Sequence, residues 1–199
     1  MNSKKKFITA LCSVAFVAVG AIVALVAVLA SFTANVNSGN INITYTATNV
    51  KATITASYGY TEAVGTAIEL ENSSDTSMVF TGNEATATTS QNFKGVTYNF
   101  TREENDIYIK YEITNDDTAA DCSLTLNPNL TADNVTVTYK VTGAIAEDMT
   151  EYGAFPTGLK IAKKVGETAS TCTVMVKIHM DNATKDVTLN GALQFILQV

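Results

Sequence analysis

The stretch that decides the fold is IYIKYEITNDDTAADCSLTL, residues 107–126. Apolar and polar residues alternate through its first part, where the apolar set is Ile107, Ile109, Tyr111 and Ile113. Successive side chains of a strand point to opposite faces of a sheet, so this period of two predicts a strand with one buried face. The polar run at 115–121 then leads into a second strand at 122–126, and the whole stretch is predicted to be a β-hairpin.

The same alternation recurs on both sides of this stretch. It predicts strands at 41–47, 50–58, 96–100, 135–141, 170–180 and 193–199, with weaker signals at 67–71 and 77–81. Pro128 is expected to end the strand before it, because proline cannot donate a ladder hydrogen bond. One helical turn is predicted near 146–150. Short strands joined by Asn, Asp, Gly and Ser turns predict an antiparallel β-sandwich, either jelly-roll or immunoglobulin-like.

The N-terminus has a different pattern. Three lysines at positions 4–6 precede an uncharged run, FITALCSVAFVAVGAIVALVAVLASFTA, at 7–34. This run is long enough to cross a bilayer as a hydrophobic helix, and the basic flank orients its N-terminus toward the cytoplasm. Residues 1–34 are therefore predicted to be a signal peptide or membrane anchor, and residues 35–199 a single β-sandwich domain.

Two interpretations of this leader stay open. Val28 and Ala30 occupy the two positions that a signal peptidase inspects, which predicts cleavage after Ala30. The apolar run is longer than a usual signal core, which favours a retained anchor instead. In both cases the domain is predicted to be extracellular or at the cell surface, and in the second it is anchored in the membrane with its C-terminal part outside.

The net charge argues against nucleic-acid binding, and the cysteine content leaves two possibilities for the thiols. The formal net charge of −6 leaves no basic patch for phosphate, so nucleic acid is not a predicted partner. Cys122 and Cys172 lie beyond the leader, each in step with the apolar residues of its strand, so both sulfurs are predicted to face the core. They form either a disulfide, as exported proteins allow, or two buried thiols.

The sequence predicts a protein that is not an enzyme. His179 is the single histidine and falls on the face opposite the apolar residues of its strand. Neither a two-histidine zinc site nor a Ser-His-Asp triad can be built with it. Asp116 and Asp117 come closest to calcium ligands, but they follow no EF-hand spacing. No catalytic, cofactor-binding or metal-ligating residue is therefore predicted, and no cofactor.

Three tyrosines are candidate contact residues. Tyr108 is predicted to face outward on its strand, and Tyr60 and Tyr152 fall in turn regions. Tyrosine offers a large contact area at a low entropy cost, which suits a binding surface. Scattered surface aromatics without a binding role are the alternative explanation.

The leader and first strand, KKKFITALCSVAFVAVGAIVALVAVLASFTANVNSGNINITY at 4–45, resemble the N-terminus of exported β-sandwich proteins of the TasA and camelysin type from Gram-positive bacteria. The SGNINI run at 38–43 matches that family's entry into its first strand, and 107–126 is similar to its hairpin. The family's usual acidic residue is missing after Phe32, so its dedicated signal peptidase is not implied. Camelysin-type members are described as metalloproteases, but no zinc-ligand set carries over to this chain.

The resemblance implies a structural protein of the cell surface or biofilm matrix. In this hypothesis the segment carrying Ile41, Ile43 and Tyr45 donates a strand to a neighbour's open sheet and builds fibres. The predicted partners are other copies of the chain or other surface proteins, and the membrane through the N-terminal segment. The alternative is a surface adhesin or ligand-binding module that recognises glycan or a host surface through loops.

Overall fold

In a computed structural model of the chain, the structure describes residues 32–36, 44–45, 51–81, 92–100, 105–118, 120–128, 135–144, 149–181, 187–189 and 193–198. All regular structure within these ranges is β-strand. A helix that could cross a membrane is not found in this part of the chain. Val28, Ala30, Ile41 and Ile43 lie outside the described residues, and so does most of the predicted helix at 7–34.

The described strands are named here in chain order. They are β1 (Phe32–Val36), β2 (Thr44–Tyr45), β3 (Lys51–Gly59), β4 (Thr66–Ala67), β5 (Ser77–Thr81), β6 (Val96–Phe100), β7 (Asp106–Asn115), β8 (Cys122–Pro128), β9 (Val135–Thr142), β10 (Met149–Gly153), β11 (Leu159–Ile161), β12 (Ser170–Met180), β13 (Val187–Leu189) and β14 (Leu193–Gln198).

These strands form three sheets. The largest has the order β10-β9-β12-β7-β3-β4, and β5 also pairs with β3. A second sheet has the order β11-β8-β14-β2, and a third has the order β13-β1-β6. Among the described pairings, β1 with β13 and β2 with β14 are parallel and the others are antiparallel. Within the described residues, the prediction of an all-β fold of mainly antiparallel sheets is therefore confirmed.

Strand β12 is the centre of the largest sheet because it pairs along its length with both β7 and β9. Val174, for example, lies opposite Tyr111 on β7 and Val141 on β9. This register aligns apolar residues across all three strands on one face, where β7 and β12 alternate between buried and half-buried residues. The alternation read from the sequence is thus the alternation between the core and the outer face.

The three sheets share one hydrophobic core. Its buried members include Ile54, Ile107, Ile109, Tyr111, Ile113, Val141, Cys172, Val174, Val176 and Ile178 from the largest sheet, Cys122, Leu124, Leu159 and Ile161 from the second, and Val96 and Tyr98 from the third. Each fully buried aliphatic side chain contributes about 1.5–3 kcal/mol through the hydrophobic effect. The prediction that Cys122 and Cys172 face the core is confirmed, since neither is accessible to solvent.

The hairpin predicted for residues 107–126 is wrong. β7 pairs with β12 and β3, whereas β8 pairs with β11 and β14. Residues 115–121 therefore carry the chain from the largest sheet to the second sheet. Period-two alternation reveals which face of a strand is buried, but it does not reveal which strand is the hydrogen-bonded neighbour.

The buried side chain of Asn115 organises this crossing. Its Nδ2 donates to the carbonyl oxygens of Ala120 at 3.1 Å and Ile161 at 3.4 Å, and its Oδ1 accepts from the backbone N–H of Asp117 at 3.0 Å. The amide thus joins the connection to β11 in the second sheet. These bonds replace the ladder bonds that a hairpin would make and satisfy a polar group inside the protein.

Four further elements differ from the sequence-based expectation. Met149–Gly153 is strand β10, although a helical turn was expected near 146–150, and residues 145–148 are outside the described ranges. Strands β11 and β13 are each three residues long, too short for a clear period. Strand β1 (Phe32–Val36) crosses the expected boundary between leader and domain at 34.

A glycine is required directly after β9. Gly143 has a φ of +82°, and a Cβ at this position would lie 2.3 Å from the carbonyl oxygen of Thr171. An L-residue rarely adopts that backbone conformation, and the facing atom belongs to the backbone and cannot rotate away.

We expect Gly143→Ala to lower the free energy of unfolding by about 3 kcal/mol or more, because a strained φ of about 1–3 kcal/mol is combined with a steric overlap. Gly158→Ala is the matched control, since Gly158 has a φ of +77° but nothing lies within 4 Å of its Cβ. Urea unfolding of both variants measures the difference. Equal losses would contradict the close approach to Thr171.

Candidate functional site

Polar and aromatic side chains gather on the outer face of the largest sheet. Asp106 and Tyr108 come from β7, and Lys177 and His179 from β12, at positions that alternate with core residues. They meet side chains from β9, β10, the connection after β3 and the turn after β12. We call this set the sheet-face cluster: Glu62, Asp106, Tyr108, Lys140, Tyr152, Lys177, His179 and Asp181.

Asp106 is the hub of one half of the cluster. Its Oδ1 lies 2.6 Å from His179 Nδ1, and its Oδ2 lies 3.0 Å from Lys177 Nζ. The hydroxyl of Tyr108 also donates to Oδ2, at 3.3 Å. The β7–β12 register creates this arrangement by placing Asp106 opposite His179 and Tyr108 opposite Lys177.

His179 extends the network to a second carboxylate. Its Nε2 lies 3.6 Å from Asp181 Oδ1, and Asp181 Oδ2 accepts from the Thr136 hydroxyl at 3.1 Å. The ring is about a third exposed, so the prediction that it faces away from the core is confirmed. Hydrogen bonds and one longer polar contact therefore connect the ends of β7, β12 and β9 on their outer face.

The other half of the cluster is aromatic. The ring centroids of Tyr108 and Tyr152 are 6.2 Å apart at an interplanar angle of 60°. Lys177 Nζ lies 5.8 Å from each centroid, and Lys140 Nζ lies 5.7 Å from that of Tyr152. Lys140 Nζ is also 3.2 Å from Glu62 Oε2. Cation–π contacts of this kind are worth about 0.5–1 kcal/mol at exposed sites.

Two of the three candidate contact tyrosines, Tyr108 and Tyr152, thus meet on this face. Tyr60 packs edge-to-face against the buried Tyr98, with ring centroids 6.1 Å apart. Sequence reasoning missed the charged members of the cluster. The signal that was available is the polar face of each alternating strand, but only the register shows that Tyr108 lies opposite Lys177.

The charges of the cluster stabilise one another at neutral pH. Burial alone would raise the pKa of Asp106, but hydrogen bonds from His179 and Lys177 outweigh it, and the pKa lies below its ordinary value. The hydrogen bond to Asp106 raises the pKa of Lys177. Burial, followed by the nearby carboxylates, raises the pKa values of Tyr108 and Tyr152. The cluster therefore presents ionised Asp106 and Lys177 beside neutral phenols.

Besides the bonds of the Asn115 side chain, the acidic connection at 115–121 makes hydrogen bonds with the backbone of other segments. Asp116 N–H donates to the Lys51 carbonyl at 2.8 Å, and Asp121 Oδ1 accepts from Lys163 N–H at 2.9 Å. Within the described ranges, no group of three or more His, Cys, Asp or Glu side chains is arranged to hold a metal ion. Asp116 and Asp117 therefore belong to no such group here.

The environment of the Cys122 thiol lowers its reactivity. Burial, reinforced by the charges of Asp117 and Asp121, raises its pKa to about 11. The thiolate, which is the nucleophile and the reactive form in oxidation, is thereby disfavoured. Cys122 lies on β8 and Cys172 on β12, in different sheets, and both are thiols in this structure. A disulfide between them stays a prediction.

The N-terminal strands pair with C-terminal strands of the same chain. In β2, Tyr45 of the predicted donor segment lies opposite Leu197 of β14, at one edge of the second sheet as described. In the third sheet, β1 lies between β13 and β6. The strand-forming capacity of this region is therefore used within the chain.

No family model matches this chain, and no curated protein does. The resemblance to the TasA and camelysin type stays a prediction. One of the two stretches behind it, residues 107–126, crosses between sheets instead of forming a hairpin. The resemblance therefore rests on the N-terminal stretch at 4–45.

The lowered pKa of Asp106 gives a pH dependence with a definite sign. A carboxyl whose pKa is lower in the folded state stabilises the fold above the unfolded-state value of about 4 and loses this effect as the pH falls through the folded-state value. We expect the stability difference between the unsubstituted protein and Asp106→Asn to be largest near neutral pH and to shrink below about pH 5.

Urea unfolding at a series of pH values measures this difference. Glu167→Gln, at an exposed carboxylate outside the cluster, controls for the loss of one negative charge. A difference for Asp106→Asn that stays constant down to about pH 3 would contradict the proposed ion pairing.

The Cys122 thiol is expected to resist alkylation in the folded protein. With a pKa of about 11, its reaction with iodoacetamide near pH 8 should be roughly a hundredfold slower than in denaturant. Mass spectrometry of the peptide that contains Cys122 measures both rates. Similar rates in the two conditions would show that the thiol is neither buried nor suppressed.

Proposed function

We propose that this chain is an exported structural protein of the cell surface or extracellular matrix, and that it assembles by adding its N-terminal strands to a neighbouring copy. The domain of this proposal is a β-sandwich. Two observations support that architecture: the sheets share one hydrophobic core, and residues 115–121 cross from the largest sheet to the second.

The observation that carries the assembly proposal is the short pairing of β2 with β14. It involves the two residues Thr44 and Tyr45, in parallel register at a sheet edge. If the same strand pairs with β14 of another copy, the hydrogen bonds are unchanged, so the exchange costs little free energy. Repeated head-to-tail exchange forms an open chain of subunits, which is a fibre.

The leader supports a location outside the cytoplasm. The apolar run at 7–34 behind three lysines is a signal peptide or an anchor, and either one exports the domain. Cleavage after Ala30 would leave β1 and β2 at a new N-terminus that is available for exchange. A retained anchor would instead hold the same strands beside the membrane.

The described side chains suit a protein that works by contact. The ring of His179 is held between two carboxylates, and the Cys122 thiol is buried with a raised pKa of about 11. The buried Cys122 thiol is not placed to act as a nucleophile toward a substrate, and both ring nitrogens of His179 face carboxylates. In this proposal the protein performs no reaction.

Deletion of residues 31–49 from the exported protein is expected to abolish its fibres, because both N-terminal strands are then missing. Electron microscopy of the material released by the host measures this outcome. Fibres that persist unchanged after the deletion would contradict the role of these strands.

A pair of introduced cysteines distinguishes β2–β14 pairing between two copies from the same pairing within one chain. Tyr45→Cys with Leu197→Cys places two cysteines in register, and in fibres we expect their disulfide to join different chains. Thr44→Cys with Leu197→Cys is the control, since successive residues of a strand point to opposite faces. Reducing and non-reducing gels separate the outcomes, and fibres with only intrachain bonds would refute exchange at this site.

A further inference from the structure

We propose that the sheet-face cluster is a binding site for a neutral, hydroxyl-rich polysaccharide. The ligand would lie across β10, β9, β12 and β7 on the outer face of the largest sheet. This binding does not depend on strand exchange, because the cluster belongs to the face of the sheet and β2 lies at an edge of another sheet.

The pairing of charges points to a neutral ligand. Lys177 lies 3.0 Å from Asp106, and Lys140 lies 3.2 Å from Glu62. Each of these lysines already has a carboxylate beside it, and Asp181 adds a third carboxylate to the cluster, so the face has no surplus of positive charge for an anionic ligand. It offers alternating donors and acceptors, and a sugar hydroxyl can both donate and accept.

The two tyrosines supply the apolar part of such a site. Tyr108 and Tyr152 are half-buried, their ring centroids are 6.2 Å apart, and their raised pKa values keep both phenols neutral at physiological pH. A pyranose ring has an apolar face of C–H groups that packs on an aromatic ring while its hydroxyls reach polar neighbours. Tyr108 combines a ring with a part-buried hydroxyl in one side chain, whereas Tyr152 offers its ring, because its hydroxyl is buried.

The dimensions of the cluster favour a polymer over a single sugar. From β10 to β7 there are three strand spacings, which is roughly 14 Å. The surface is an open sheet face, so a ligand would gain contacts by extending along it. The contacts among Lys140, Tyr152, Lys177 and Tyr108 already hold the side chains in place, which lowers the entropy cost of binding.

The test uses the exported protein purified from its host in a non-assembled state. The probes are maltohexaose, cellohexaose and chitohexaose as neutral oligosaccharides, and oligogalacturonate as an anionic one. Titration calorimetry measures affinity, and amide NMR spectra of the unsubstituted protein locate the site. We expect a neutral probe to bind and to shift amides of β7, β9, β10 and β12.

Substitutions then separate recognition from general surface effects. Tyr108→Ala and Tyr152→Ala are each expected to weaken binding roughly tenfold. Val79→Ala is the control, because Val79 is an exposed apolar residue of β5, outside the four strands of the proposed site. Its affinity should equal that of the unsubstituted protein.

Several results would overturn the proposal. These are binding of oligogalacturonate alone, no binding of any neutral probe, or amide shifts outside the four strands. The NMR result stands even if a tyrosine variant fails to fold, because it uses the unsubstituted protein. None of these outcomes depends on whether the protein forms fibres, so the two proposals succeed or fail separately.

Discussion

The structure depends on the pairing of β12 with β7 on one side and β9 on the other. Two-sided pairing fixes the register of three strands at once, and a shift by one residue would turn every apolar side chain outward. The same register that buries Val174 beneath the sheet brings Lys177 beside Tyr108 on its outer face. The hydrophobic core and the sheet-face cluster are therefore two consequences of one alignment.

Much of the fold could be predicted from the sequence, because alternation is a local property. Strand β12 (Ser170–Met180) and strand β6 (Val96–Phe100) match their expected ranges. The pairing partner of a strand, in contrast, depends on residues that are distant in the sequence. The sequence at 115–121 predicts a hairpin turn, yet the buried amide of Asn115 bonds to Ile161 and joins the connection to another sheet. A single sequence carries no signal for that contact.

The candidate site shows the same division between local and long-range information. Tyr108 and Tyr152 could be singled out as contact residues, since their residue type and expected exposure are local features. Their meeting at 6.2 Å, with Lys177 between them, arises from strands that are distant in sequence. The two proposed activities use different parts of the fold, because edges with short pairings suit exchange and a broad ordered face suits recognition.

Amide hydrogen exchange measured by NMR tests the central role of β12 most directly. Amides between Val174 and Ile178 are bonded within a ladder that has a strand on each side, so they should open only with global unfolding and exchange most slowly. Thr44 and Tyr45, paired over two residues at an edge, should exchange much faster. Exchange of the β12 amides as fast as that of Thr44 and Tyr45 would contradict the account.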